Sequence, residues 1–163
     1  MLIRKYGVSG LICLGLLLLD QWTKHLILQK VPLHHSVAII PGFFNLTHVR
    51  NTGAAFGILA GRGRGAFAFF LILSVAAIVA MVYFYVKEER GDRRVRLPIP
   101  FVLSGAIGNL IDRLRHGEVV DFLDFYVSSF HWPAFNIADS AICVGIGLLA
   151  WKLLVWDRKK RGG

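Results

Sequence analysis

The chain has 163 residues, 55% of them hydrophobic and 18% charged; with a mean hydropathy of +0.57, this excludes an ordinary soluble domain and points to a small polytopic membrane protein. A net charge of +9 would suggest nucleic acid in a soluble protein. Here the basic residues fall mostly between and after the apolar runs, so anionic lipid and membrane topology account for them and no nucleic-acid partner is expected.

The first apolar span, about 7–28, follows Arg4 and Lys5 and imitates a signal peptide. Asp20-Gln21-Trp22-Thr23-Lys24 stands where a small-residue cleavage site would lie, so the span reads as an uncleaved anchor. Asp20 and Lys24 are four apart and share one helix face, either as a self-neutralising ion pair or as part of a polar site inside the bundle. A loop of about 29–65 follows. Its stretches Ser36–Ile40 and 43–49 are rich in β-branched and aromatic residues and flank a Pro41-Gly42 turn, which predicts a small sheet resting on the membrane surface. Asn51-Thr52-Gly53-Ala54-Ala55-Phe56 reads either as a glycine-containing turn or as a backbone edge that grips an extended peptide. Gly61-Arg62-Gly63-Arg64-Gly65 reads as a flexible basic hinge at the lipid headgroups.

The second span, about 66–86, carries no charge, and the third, about 98–114, turns polar at its far end in Gly108-Asn109-Leu110-Ile111-Asp112-Arg113. Asn109 and Arg113 share a face with Asp112 one turn from Asn109, as a structural network or as substrate contacts. A second outer loop, about 115–134, is aromatic (Phe122, Phe125, Tyr126, Phe130, Trp132 and the adjoining Phe135) and suits an interfacial belt or a short helix lying flat on the bilayer. The fourth span, about 135–156, opens with Phe135-Asn136-Ile137-Ala138-Asp139. Each span is near the roughly 20 residues that a helix needs to cross about 30 Å of hydrocarbon. Lys87, Arg90, Arg93, Arg94 and Arg96 between spans two and three, and Arg158, Lys159, Lys160 and Arg161 after span four, place both termini in the cytoplasm. The whole chain, 1–163, is read as one membrane domain.

Six of the ten acidic residues lie in or beside apolar stretches: Asp20, Asp112, Glu118, Asp121, Asp124 and Asp139. A carboxylate at membrane depth costs several kcal/mol and calls for a function. Asp121, after span three, and Asp139, at the head of span four, can meet if both segments end at one membrane surface. Two such carboxylates split their pKa values and divide the labour of peptide hydrolysis. The ionised one takes a proton from water, and the protonated one hydrogen-bonds the scissile carbonyl. Asn136 is three residues before Asp139 and able to orient it; Asp124 is a rival partner. The six histidines show no metal-ligand spacing. Cys13 and Cys143, inside apolar runs, read as buried free thiols. A carrier or proton pathway through Asp20, Lys24, Asp112 and Asp139 is the competing class, although neither repeated halves nor broken helices are evident.

Taken in order, the Asp20–Lys24 box, the Asn51 to Phe56 box, the Gly108 to Arg113 box, Val119-Val120-Asp121-Phe122 and Phe135-Asn136-Ile137-Ala138-Asp139 closely resemble the five boxes of the bacterial lipoprotein (type II) signal peptidases. The resemblance covers nearly the whole chain. It implies a mainly α integral membrane fold of four transmembrane helices, with a small periplasmic β-cradle and a short periplasmic helix corresponding to the two outer loops. It implies an aspartyl endopeptidase of the inner membrane that cuts diacylglyceryl-modified prolipoproteins just before the lipidated cysteine. Asp121 and Asp139 would be the catalytic dyad, near the periplasmic surface. Asp20, Lys24, Asn51, Gly53, Asn109, Asp112, Arg113, Asn136 and Ala138 would shape the site or hold substrate. No metal or cofactor is implied, membrane lipids are the surroundings, and globomycin-type peptides would inhibit.

Overall fold

The computed structural model describes residues 2–52, 63–87 and 96–161. Among the described residues, four long helices carry the architecture: α1 (Leu2–Lys30), α2 (Gly63–Lys87), α3 (Pro98–His116) and α4 (Ile137–Arg161). Between α1 and α2 lie strands β1 (Ser36–Ile40) and β2 (Phe44–Asn51); between α3 and α4 lie β3 (Val119–Val127) and β4 (Phe130–His131). Among the described residues, two stretches, Gly7–Lys30 and Phe67–Lys87, are long and apolar enough to cross a membrane. Helix α3 is shorter, and Asn109, Asp112 and Arg113 dilute its apolar character.

Burial in the helices runs opposite to a soluble protein. Leu11, Ile72, Val79, Trp151 and Leu154 are exposed, while Asp20, Lys24, Asn109 and Asp112 are buried. Apolar outside and polar inside is the arrangement hydrocarbon surroundings favour, because a charged group facing lipid has no partner. Helix α3 is central and packs against α1, α2 and α4. Gly105 makes this possible: a Cβ there would collide with the Ala138 carbonyl oxygen and lie 2.7 Å from Ile142 Cγ1. Gly108 likewise leaves room for the Asp20 carboxylate. The small residues from Ser104 to Gly108 thus let α3 approach both α1 and α4.

Helix ends follow local chemistry. Pro98 opens α3, where its missing N–H costs nothing. Gly117 ends it at φ 77°, donating its N–H to the Arg113 carbonyl in a left-handed cap. Helix α4 starts from Asn136, whose Oδ1 accepts the Asp139 N–H at 2.9 Å while the Asp139 carboxylate accepts the Asn136 N–H at 3.3 Å. This reciprocal box satisfies two otherwise orphaned donors.

The four strands form an antiparallel sheet in the order β1-β2-β3-β4. Gly42, at φ 81°, makes the turn expected between β1 and β2. The β2–β3 register shifts between Leu46 and Val49, an extra residue that sets Val49 opposite Asp121. Ile27 and Val31 at the end of α1 pack with Val120 and Phe122 of β3, so an apolar core fastens the sheet to the helices.

Three expectations change. The second outer loop forms strands β3 and β4, with no flat helix, because its alternating aromatic and β-branched residues pair with β2. The glycine–arginine run is no simple hinge: Gly63 to Gly65 already belong to the first turn of α2, and Gly61 and Arg62 lie outside the described residues. The thiols are free, but Cys143 is exposed on the outer face of α4 and Cys13 is half-buried.

Candidate active site

The polar interior begins at Lys24 on α1, whose side chain is 2% exposed. Its Nζ pairs with Asp20 Oδ2 at 3.0 Å and Asp112 Oδ2 at 2.9 Å, and donates to Asn109 Oδ1 at 3.0 Å. The i,i+4 pair read from the sequence is therefore a triad that joins α1 to α3. Each carboxylate also holds backbone: Asp20 Oδ1 accepts the Ala138 N–H at 2.9 Å, and Asp112 Oδ2 accepts the Val120 N–H at 3.2 Å. Fully bonded, the triad tolerates its own burial; removing one member of such a group costs about 3–5 kcal/mol.

Asn109, one turn before Arg113 on α3, passes the network on by donating from Nδ2 to Asp139 Oδ1 at 2.8 Å. Asn136 is completely buried. Besides capping α4, it donates from Nδ2 to Asp121 Oδ1 at 2.7 Å, to the Val120 carbonyl at 3.3 Å and to Asn109 Oδ1 at 3.3 Å. Asn51, at the end of β2, donates from Nδ2 to Asp121 Oδ2 at 2.9 Å. Asp121 and Asp139, 18 positions apart in sequence, thus share Asn136 as a common partner, one on a strand and the other in the first turn of a helix.

Burial is the main force on the Asp121 carboxyl and pushes it up to about 7, with the nearby Asp139 charge acting the same way. Hydrogen bonds from Asn51 and Asn136 and the Lys24 charge oppose this without overcoming it. Near neutral pH the Asp121 carboxyl is therefore poised to hold its proton. Arg113 stands beside it, within Coulombic reach of Asp139, Asp112 and Asp121. Its Nη1 donates to Ser74 Oγ on α2 at 3.3 Å and to the Asn109 carbonyl at 3.2 Å, and the guanidinium lies 5.5 Å from the Phe70 ring centroid.

The structure brings Asp20, Lys24, Asn51, Asn109, Asp112, Arg113, Asp121, Asn136, Ala138 and Asp139 into one continuous cluster; Gly53 lies outside the described residues. Asp124 does not join it. It accepts from Asn45 Nδ2 at 2.9 Å and meets His131 Nδ1 at 2.8 Å, three positions from Asp121 and so on the opposite face of β3. Two members were not singled out from the sequence. Gln21 donates to Asp112 Oδ1 at 3.0 Å and to the Gly108 carbonyl at 3.3 Å; its signal was adjacency to Asp20. Ser74 holds Arg113, and its signal was the single serine in a span otherwise made of apolar residues and tyrosine. Among the described residues no group of histidine, cysteine and carboxylate side chains is arranged to hold a metal ion.

A family model described as Signal peptidase (SPase) II matches residues 12–155. The lipoprotein signal peptidase of Syntrophus aciditrophicus (strain SB) is 46% identical over 161 residues, covering 96% of this chain and 99% of the relative. That of Syntrophotalea carbinolica is 48% identical over 150 residues, covering 91% and 92%. Two solved structures are similar, each 39% identical to this chain. One, a bacterial membrane enzyme determined by the in meso method at 2.3 Å resolution, superposes with a TM-score of 0.81 over 91% of this chain and 88% of that one. The other, determined at 1.9 Å resolution, does so with a TM-score of 0.79 over 91% and 93%. Buried carboxylates, network and helical frame are thus those of a chain that belongs to the signal peptidase II family.

Proposed function

We propose that this protein is an aspartyl endopeptidase that removes the signal peptide from diacylglyceryl-modified prolipoproteins, cutting just before the lipidated cysteine. The observation that carries the reading is the shared partner of Asp121 and Asp139: one Asn136 side chain binds the first carboxyl and caps the helix that presents the second. In this reading all four helices cross the inner membrane, with both termini cytoplasmic and the sheet on the periplasmic side. The basic residues at the chain ends and between α2 and α3 support that orientation.

Asp121 holds the proton of the resting pair, which its elevated pKa supports, and Asp139 is the ionised partner. Asp139 takes a proton from water as the water oxygen adds to the scissile carbonyl carbon. Asp121 gives its proton to the carbonyl oxygen, leaving a neutral tetrahedral diol. Collapse of the diol breaks the C–N bond. The amine of the lipidated cysteine departs with a proton from Asp139, and the diol's second hydroxyl proton returns to Asp121. Products are a signal-peptide carboxyl and a free cysteine amine. Asn51, Gly53, Asn109, Asp112, Arg113, Asp20, Lys24, Asn136 and Ala138 shape this site or contact substrate, and globomycin-type peptides block it.

The test is cleavage of a purified diacylglyceryl-modified prolipoprotein, read by mass shift, with wild type, Asp121→Asn and Asp139→Asn. Wild type alone should cut, with both variants folded. Full activity in either variant removes that residue from the dyad, and no cleavage by well-folded wild type overturns the reading.

A further inference from the structure

Each proposed catalytic aspartate is preceded by a residue whose backbone N–H is held by a different buried carboxylate. Ala138, before Asp139, donates to Asp20, and Val120, before Asp121, donates to Asp112. Those two carboxylates are held by the same ammonium, Lys24, at 3.0 and 2.9 Å. From this we infer that Lys24 is the positioning residue that sets the spacing of the dyad, acting through Asp20 and Asp112 as two arms on the peptide units beside Asp139 and Asp121. The inference rests on the dyad reading above and assigns the triad a specific task within it.

The geometry favours this over a general stabilising role. Asp139 rides on α4 and Asp121 on β3, elements with no covalent link shorter than the segment between them. The arms reach Ala138 and Val120 from α1 and α3, so the pair is located from outside its own elements. Lys24 also fixes Asn109 Oδ1, which leaves the Asn109 amide nitrogen aimed at Asp139. One ammonium therefore determines two backbone positions and one carboxylate orientation. Its three donors are matched by three acceptors: Asp20, Asp112 and Asn109.

The test uses full-length protein in lipid bilayers and the diacylglyceryl-modified prolipoprotein, with active molecules counted by tight-inhibitor titration. Asp112→Asn keeps one oxygen for both the Val120 N–H and Lys24, whereas Asp20→Asn keeps an oxygen for the Ala138 N–H but turns its amide nitrogen toward Lys24; each leaves Lys24 one counter-charge. Asp20→Ala and Asp112→Ala remove the arm. Per folded molecule, kcat should fall about a hundredfold in the alanine variants, the effect of misplacing a reacting group by about 1 Å. It should fall no more than about tenfold in Asp112→Asn and by more in Asp20→Asn, whose arm has lost its ammonium, with KM within about threefold of wild type in all four. Lys24→Met should match the alanine variants, and it stands in for them if they do not fold. Equal losses in Asp112→Asn and Asp112→Ala, or wild-type kcat per folded molecule in the alanine variants or Lys24→Met, overturn the positioning role. Failure of wild type to cut at all instead overturns the functional reading beneath it.

Discussion

Replacing Asp121 with Asn should abolish cleavage and yet stabilise the protein at alkaline pH. The ordinary carboxyl value is 3.8, and burial beside the Asp139 charge lifts Asp121 to about 7. A carboxyl with a raised folded-state pKa contributes fully below the unfolded value; that contribution erodes as pH climbs and is gone above the folded value. At about 1.4 kcal/mol per pH unit, the interval from 3.8 to about 7 amounts to roughly 4 kcal/mol. Asn does not ionise, so it escapes this loss. Its carbonyl oxygen can still accept from Asn136, but its amide nitrogen would face the Asn51 donor until that amide turns over. A mismatched donor costs about 1–3 kcal/mol, which leaves a net gain of roughly 1–3 kcal/mol at pH 8. The assay is thermal unfolding of wild type and Asp121→Asn in the same lipid or detergent, from pH 4 to pH 8.5. The gap should widen in favour of Asn as pH rises through about 7, and wild-type kcat should fall over the same range as the pair loses its shared proton. A gap that stays flat across that range would falsify the assignment of the proton to Asp121.

Asn136→Ala removes the cap of α4 and the donor to Asp121, so the melting temperature should fall with a cost of about 1 kcal/mol or more and kcat by about a hundredfold. Activity within about twofold of wild type would show that Asn136 is only a cap. Gly105→Ala forces a Cβ against the Ala138 carbonyl oxygen and should cost about 1–3 kcal/mol and lower activity, whereas Gly147→Ala, with open space around it, should change neither. Equal melting temperatures for the two would refute the close approach of α3 and α4. Asp124→Asn should cut at close to the wild-type rate, since Asp124 is engaged by Asn45 and His131 away from the cluster. A loss matching that of Asp121→Asn would return Asp124 to the dyad.

The parts of the site visible in the sequence are those where apolar surroundings make a polar residue conspicuous. Asp20, Lys24, Asp112 and Asp139 stand out against leucine, isoleucine and valine, and their cost in hydrocarbon announces them. Partners across the fold did not show. The sequence groups Asp112 with its own helix neighbours, yet it binds Lys24 on α1 and the Val120 N–H, a meeting that depends on how closely the helices pack at Gly108. The strand around Asp121 was hidden for a similar reason. Its β-branched and aromatic residues suit either a strand or an interfacial belt, and the choice is made by β2, some 70 residues earlier. Short-range signals served better: the Pro41-Gly42 turn and strand β1 lie where expected, because a hairpin is specified within a few residues.

The Asp20 arm joins residues 118 positions apart, and Asn136 can cap α4 only once that helix exists. On the proposed dyad, a ribosome-bound chain that stops short of α4 carries Asp121 without Asp139 and has no hydrolytic centre. In that reading activity arrives with α4, after α1, α2 and α3 are already made. For a protease born among many other apolar nascent chains, the order of synthesis is itself a safety interlock: the blade is not mounted until the handle is finished.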